Sequence, residues 1–176
     1  DRKATYLHIV TSVRTNKAES KRVRFTVGGD RVDYPGDTST PTVDLTTIKI
    51  QLNSVLSTPD AKFMTADISD FYLNTPLPRK EYMHIPVKDI PQCVIDQYNL
   101  APLVHNGHVM TEIRKGMYGL PQAGLLAHDL LKDRLALDGY MPANHTPGFF
   151  SHATLPISFT LCVDDFGIKY VGSDAA

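Results

Sequence analysis

Two adjacent aspartates, Asp164 and Asp165, stand between alternating apolar runs in ISFTLCVDDFGIKYV, residues 157–171. Neighbouring carboxylates repel and resist burial, so they need water, a donor network or a cation. At the tip of a rigid hairpin the fitting cation is a hard divalent metal, although Asp-Asp alone also suits a plain polar turn. A third carboxylate, Asp67, closes the run 63–68, where by itself it would serve equally as a helix cap. Together, three carboxylates can hold two divalent ions about 4 Å apart, the arrangement that clamps an in-line phosphoryl transfer. In that chemistry one ion activates the attacking hydroxyl and the other neutralises the leaving pyrophosphate.

The elements around these residues follow from periodicity. Ile157, Phe159, Leu161 and Val163 recur every second residue, and Phe166, Ile168 and Tyr170 do the same beyond the acidic pair. This predicts strands 157–163 and 166–170 with both aspartates at the turn. Residues 63–67 form a third strand, and all three belong to one antiparallel sheet. Leu45, Ile48, Leu52, Val55 and Leu56 make a helical stripe over 44–57, ended by Pro59. Leu126, Leu130, Leu131 and Leu135 mark a second helix over 121–137, with Pro121 in its first turn. Each helix has a single stripe, so both are expected on one face of the sheet.

Upstream, a short strand or helix is expected near 6–13. KRVRFTV (21–27) reads as a strand that turns at Gly28-Gly29-Asp30 and returns through 31–34 as a basic hairpin. The Pro-punctuated stretch 74–78 reads as a loop. Strands 81–85 and 108–113 make a hairpin pair interrupted by an insertion with a short helix at 92–98. His105 and His108 read as loop residues, and 149–152 as a short strand.

A chain of 176 residues and 42% apolar content suffices for one domain with a real core. No run approaches the ~20 apolar residues of a membrane span. The opening DRKATYLHIV has no Met and no apolar signal core, so the chain reads as a piece of a longer polypeptide. Cys93 and Cys162 lack partners at zinc spacing and are expected as packed free thiols of a reducing compartment. Net charge is −1, but residues 1–35 hold eight Lys or Arg against four Asp or Glu, and 36–176 hold ten against fifteen. That asymmetry suits phosphate grip at one place and metal at another, or simply a solvated basic edge.

TADISDFYLNTPL, RKGMYGLPQAG and LCVDDFGIKYVG, in that order, resemble three blocks of reverse transcriptases. The nearest resemblance is to the copia-type polymerase of long-terminal-repeat retrotransposons, and it runs from about Lys21 to the C-terminus. It implies an α+β right-hand polymerase, with a fingers portion at 1–60 carrying the basic hairpin and a palm portion at 61–176 carrying the carboxylates. Asp67 and Asp164 resemble the main metal ligands and Asp165 the second member of the pair, with the Ile68 carbonyl as a further ligand. Backbone amides of Ser69, Asp70 and Phe71 would face the incoming triphosphate. Tyr72 resembles the aromatic gate against the ribose 2′-hydroxyl, and Gln122 the polar residue that contacts the nucleotide. Arg24 resembles the arginine that lies against the triphosphate, with Lys21 assisting.

The resemblance further implies two Mg²⁺ ions, replaceable by Mn²⁺, and a template of RNA or DNA with its primer. It implies deoxynucleotide substrates and a cytoplasmic, intracellular setting that includes virus-like particles. Cys162 stands where the family often has an aromatic or aliphatic residue, and Leu125 where related copies often have a basic one. The chain stops eleven residues after Asp165. The thumb and RNase H regions that the family implies are therefore expected in the remainder of a polyprotein. Two other readings compete: a non-catalytic nucleic-acid-binding remnant of the same fold, and a metal-dependent phosphohydrolase. The phosphohydrolase reading has no account of the LPQAG block or Tyr72.

Overall fold

A computed structural model describes residues 3–16 and 18–172. In chain order it runs β1 (Thr5–Val13), β2 (Lys21–Val27), α1 (Leu45–Ser57), β3 (Ala61–Asp67), β4 (Pro76–Pro86), α2 (Gln92–Gln97) and β5 (Val104–His105). It continues with β6 (His108–Lys115), α3 (Ala123–Leu137), β7 (Tyr140–Pro142), β8 (Phe149–His152), β9 (Ile157–Cys162) and β10 (Asp165–Val171). The class is α+β, with two mostly antiparallel sheets and few helices. Two compact units share the chain, each built from two segments: 1–37 with 72–123, and 38–71 with 124–176. A cut at residue 60 would fall inside the second unit, between α1 and β3. Among the described residues no helix is long and apolar enough to cross a membrane.

The first unit is a five-stranded sheet in the order β2-β1-β4-β6-β5, parallel only between β1 and β4. The stretch 6–13, open between strand and helix, is a strand. The basic hairpin is not built as expected. β2 pairs back to β1, from Leu7 opposite Val27 to Val13 opposite Lys21, while Gly29–Arg31 forms a 3-10 turn and 32–34 no strand. Leu7 to Val13 offers seven register partners, whereas the stretch after Arg31 runs into Pro35 and offers few. β4 begins at Pro76, inside the expected loop, and ends at Pro86; Pro76 sits at the strand start and Pro78 in the register shift before Glu81. Those are the places a sheet tolerates proline. His105 is a strand residue, not a loop residue, and His108 opens β6 as the strand reading 108–113 has it: the two oppose each other across Asn106-Gly107, whose φ values are +50° and +75°. Two positive φ angles are what a two-residue hairpin turn demands, and Asn-Gly supplies them.

In the second unit the sheet order is β3-β10-β9-β8-β7, antiparallel throughout, as expected for its first three strands. Phe150, Phe159 and Leu161 are its buried core, and Leu131 and Leu135 of α3 pack on them with Phe166 and Ile168. Register puts Phe159 opposite Ile168 and Leu161 opposite Phe166, so these side chains share one face. α1 lies on the other face. There Gln51 accepts from the Thr160 hydroxyl at 2.8 Å and donates to the carbonyls of Ser158 (3.2 Å) and Gly167 (2.9 Å).

The expectation of both helices on one face is therefore corrected: they sandwich β9, whose Phe159, Thr160 and Leu161 are all buried. Of the expected stripe, Ile48 and Val55 are half-buried on either side of Gln51 in sequence, but its leucines are not on the face that α1 turns to the sheet. Leu45, Leu52 and Leu56 are exposed, and Gln51 is buried. That side of the sheet presents polar groups needing partners, and a buried polar group without one is costly. Lys169 is likewise held by Ser54 and Thr58 of the helix end. The start of α1 is capped as its sequence suggests, with the Asp44 carboxylate accepting from the Thr47 amide at 2.8 Å. Those bonds hold the Asp44 carboxyl below its usual range. α3 begins two residues later than expected, so Pro121 and Gln122 precede it. Cys93 and Cys162 are free, but exposed rather than packed.

Candidate functional site

β3 and β10 finish together. Asp67 opposes Asp165 as the last register pair of the ladder. Directly opposed residues of an antiparallel pair keep their Cα atoms about 4.5–5.5 Å apart and their side chains on one face. The ladder is extended one step by the Ile68 amide, which donates to the Asp164 carbonyl at 3.0 Å. Backbone pairing thus brings Asp67, Ile68, Asp164 and Asp165 to one sheet end, although about a hundred residues separate the two aspartate groups in sequence. Asp67 and Asp165 are exposed and Asp164 half-buried.

The tip itself differs in detail from its expected form. Cys162 pairs with Asp165, so the two turn residues are Val163 and Asp164, and Asp165 opens β10. Val163 has φ +62°. A two-residue hairpin wants a positive φ at its first position, where glycine is usual. A β-branched residue there carries strain of about 1–3 kcal/mol, of the kind that collects at functional turns. On the other strand, Asp70 also has a left-handed φ, +54°, which sharpens the turn that follows Ser69. Phe71 is buried, so its side chain anchors the turn irrespective of what its amide does.

All donors at this sheet end are hard oxygens, the kind Mg²⁺ takes. Like charges directly opposed across a ladder are also destabilising unless neutralised. Among the described residues, no group of three or more His, Cys, Asp or Glu side chains is drawn up so as to hold a metal ion. The backbone adjacency and donor chemistry fit a divalent site, while the carboxylates are not gathered.

The remaining expected residues lie in the first unit. The Arg24 guanidinium sits over the Tyr118 ring, 4.8 Å from its centroid, and Tyr72 meets the same ring edge-on at 5.3 Å. Tyr118 therefore links Arg24 and Tyr72. Its carbonyl accepts from the Val27 amide at 2.7 Å, which ties the GMYGLP loop to the end of β2. Gly119 permits this approach: its φ is +93°, and a Cβ there would collide with the Val27 carbonyl. Gln122 is buried, 1% exposed, and donates to the Glu81 carboxylate at 3.2 Å. Arg79 approaches the same carboxylate oxygen at 3.3 Å. The Gln122 Oε1 and the Arg24 Nε are buried with no hydrogen-bond partner among the described residues.

Three participants escaped the sequence reading. Tyr118 was legible as an aromatic held between two glycines. Glu81 was legible as a carboxylate on the same strand parity as buried Leu77. The strain at Val163 had no signal beyond a β-branched residue at a turn. Compared with known proteins, the chain matches no family model, and no curated protein or solved structure is significantly similar to it.

Proposed function

We propose that the chain is part of a right-hand, copia-type reverse transcriptase, adding deoxynucleotides to a primer 3′-hydroxyl under the direction of an RNA or DNA template. The observation that carries this reading is the convergence of Asp67, Ile68, Asp164 and Asp165 on one sheet end. Asp67 and Asp164, with Asp165 and the Ile68 carbonyl, would hold two Mg²⁺ ions. Bound there, such ions supply activation of the primer hydroxyl and charge neutralisation of the pyrophosphate. The chain's own residues bind and orient. Amides of Ser69, Asp70 and Phe71 would donate to the triphosphate. The roles of Arg24, Tyr72 and Gln122 toward the nucleotide rest on the sequence resemblance alone.

The test is single-nucleotide incorporation into a primer annealed to an RNA template. We expect Mg²⁺-dependent incorporation that Asp67→Asn or Asp164→Asn lowers by roughly 100-fold or more, since metal-held charge stabilisation is worth several kcal/mol. Equal incorporation by the variants sinks the reading. Template binding without incorporation points to the non-catalytic remnant, and metal-dependent ester cleavage without template to the phosphohydrolase.

A further inference from the structure

One face of the first unit's sheet carries a cleft of about 350 Å³, lined among others by Tyr6, Arg31, His84, His105 and His108. Register explains the gathering. Tyr6 neighbours His84 in the parallel pair, Pro86 opposes His108, and His105 opposes His108. Three strands thus contribute one imidazole each. The His84 and His108 rings meet edge-on at 6.2 Å, and the Arg31 guanidinium lies over the Tyr6 ring at 5.0 Å. The Asn106 carbonyl lies 2.9 Å from His108 Nδ1. That contact fixes Nδ1 as a donor and leaves Nε2 for a ligand. Beyond Arg31 and His84 the hollow continues to Lys3.

The charges facing it are unbalanced. Its carboxylate, Asp30, accepts from the Tyr6 hydroxyl at 2.9 Å. Glu112 reaches this face beside Tyr82, but is engaged by Arg114 at 2.6 Å and Lys80 at 3.3 Å. Against these stand Arg31 and Lys3, with three imidazoles able to donate hydrogen bonds. The imidazoles do not form a set that could hold one metal ion. Their spacing suits a multidentate anion instead. The volume lies at the small end of ligand pockets, about 300–1,000 Å³. Guanidinium forks suit phosphate.

We propose that this cleft binds a phosphate-bearing ligand of mononucleotide size through Arg31, His84, His105 and His108. It is separate from the carboxylate end and needs no divalent metal. The test is calorimetric titration of the full chain in EDTA, with pyrophosphate and with 5′-AMP as probes. Saturable binding is expected at about pH 7. Arg31→Gln and His105→Gln, both at exposed positions, should each weaken it by about tenfold. Equal affinities identify phosphate alone as the group recognised, and tighter binding of 5′-AMP adds its nucleoside to what the cleft recognises. Asp164→Asn should leave this binding as it is, so the outcome is independent of the polymerase reading. No saturable binding, indifference to both variants, or loss on Asp164→Asn would each overturn the proposal.

Discussion

Asp67 and Asp165 face each other across the last rung of a ladder, and both are exposed. Such a pair repels, and a cation between them removes the repulsion. Added Mg²⁺ should therefore raise the melting temperature by several degrees once well above its Kd, because a ligand of the folded state stabilises it by mass action. Asp67→Asn should raise the melting temperature in EDTA and abolish the Mg²⁺ increment. A wild-type increment that survives in Asp67→Asn would place the ion elsewhere. The three carboxylates themselves were legible in the sequence, because adjacent aspartates between apolar strands are chemically conspicuous. What was not legible was which aspartate turns and which pairs. Cys162 pairs with Asp165, and that register depends on the +62° φ of Val163, a backbone state no side-chain pattern announces.

At the level of elements, each helix of the second unit carries its own test. His128 of α3 is buried beside Phe150, with ring centroids 6.4 Å apart. Burial holds its pKa below the ordinary 6.5, while Asp129 pulls it up and Lys132 pushes it down. The unfolded chain then binds the proton more readily than the folded one. His128's share of stability is complete above about pH 6.5 and is lost as pH falls through that value toward the lower folded one. His128→Leu should flatten the loss between about pH 7.5 and 5.5 in denaturant titrations; an unchanged pH slope would refute it. On α1, Gln51→Leu strips partners from Thr160 and from the Ser158 and Gly167 carbonyls. It should cost about 1–3 kcal/mol, read as a shift in denaturant midpoint. A leucine that stabilises would mean this face welcomes apolar packing after all. The position of α1 was readable from Asp44 and Pro59, but not which side faces the sheet. That is decided by Thr160 and Lys169, over a hundred residues away. The partner of β2 was hidden for a similar reason: Gly28-Gly29 is a local turn signal, and the pairing of β1 with β2 overrides it.

For the molecule as a whole, net charge argues against general attraction to nucleic acid. The chain carries −1, and its excess of Lys and Arg lies in residues 1–35. Any grip on template–primer must then be local, and the concentration of cations on β2 makes it the place to look. Lys21, Arg22 and Arg24 occupy alternate and adjacent positions of that strand, at the edge of its sheet. Affinity for duplex DNA falls with log salt at a slope of about −0.9 per neutralised phosphate. Three contacts would give a slope near −3, or roughly 40-fold weaker binding between about 50 and 200 mM salt. Fluorescence anisotropy of a labelled template–primer duplex reads this directly. Arg22→Glu should make the slope shallower by about one and weaken binding to different sequences alike, as expected of a phosphate contact. Arg24→Glu should do the same and also lose the contact with Tyr118. If the slope is unchanged in both variants, β2 is a solvated basic edge and the duplex is held elsewhere.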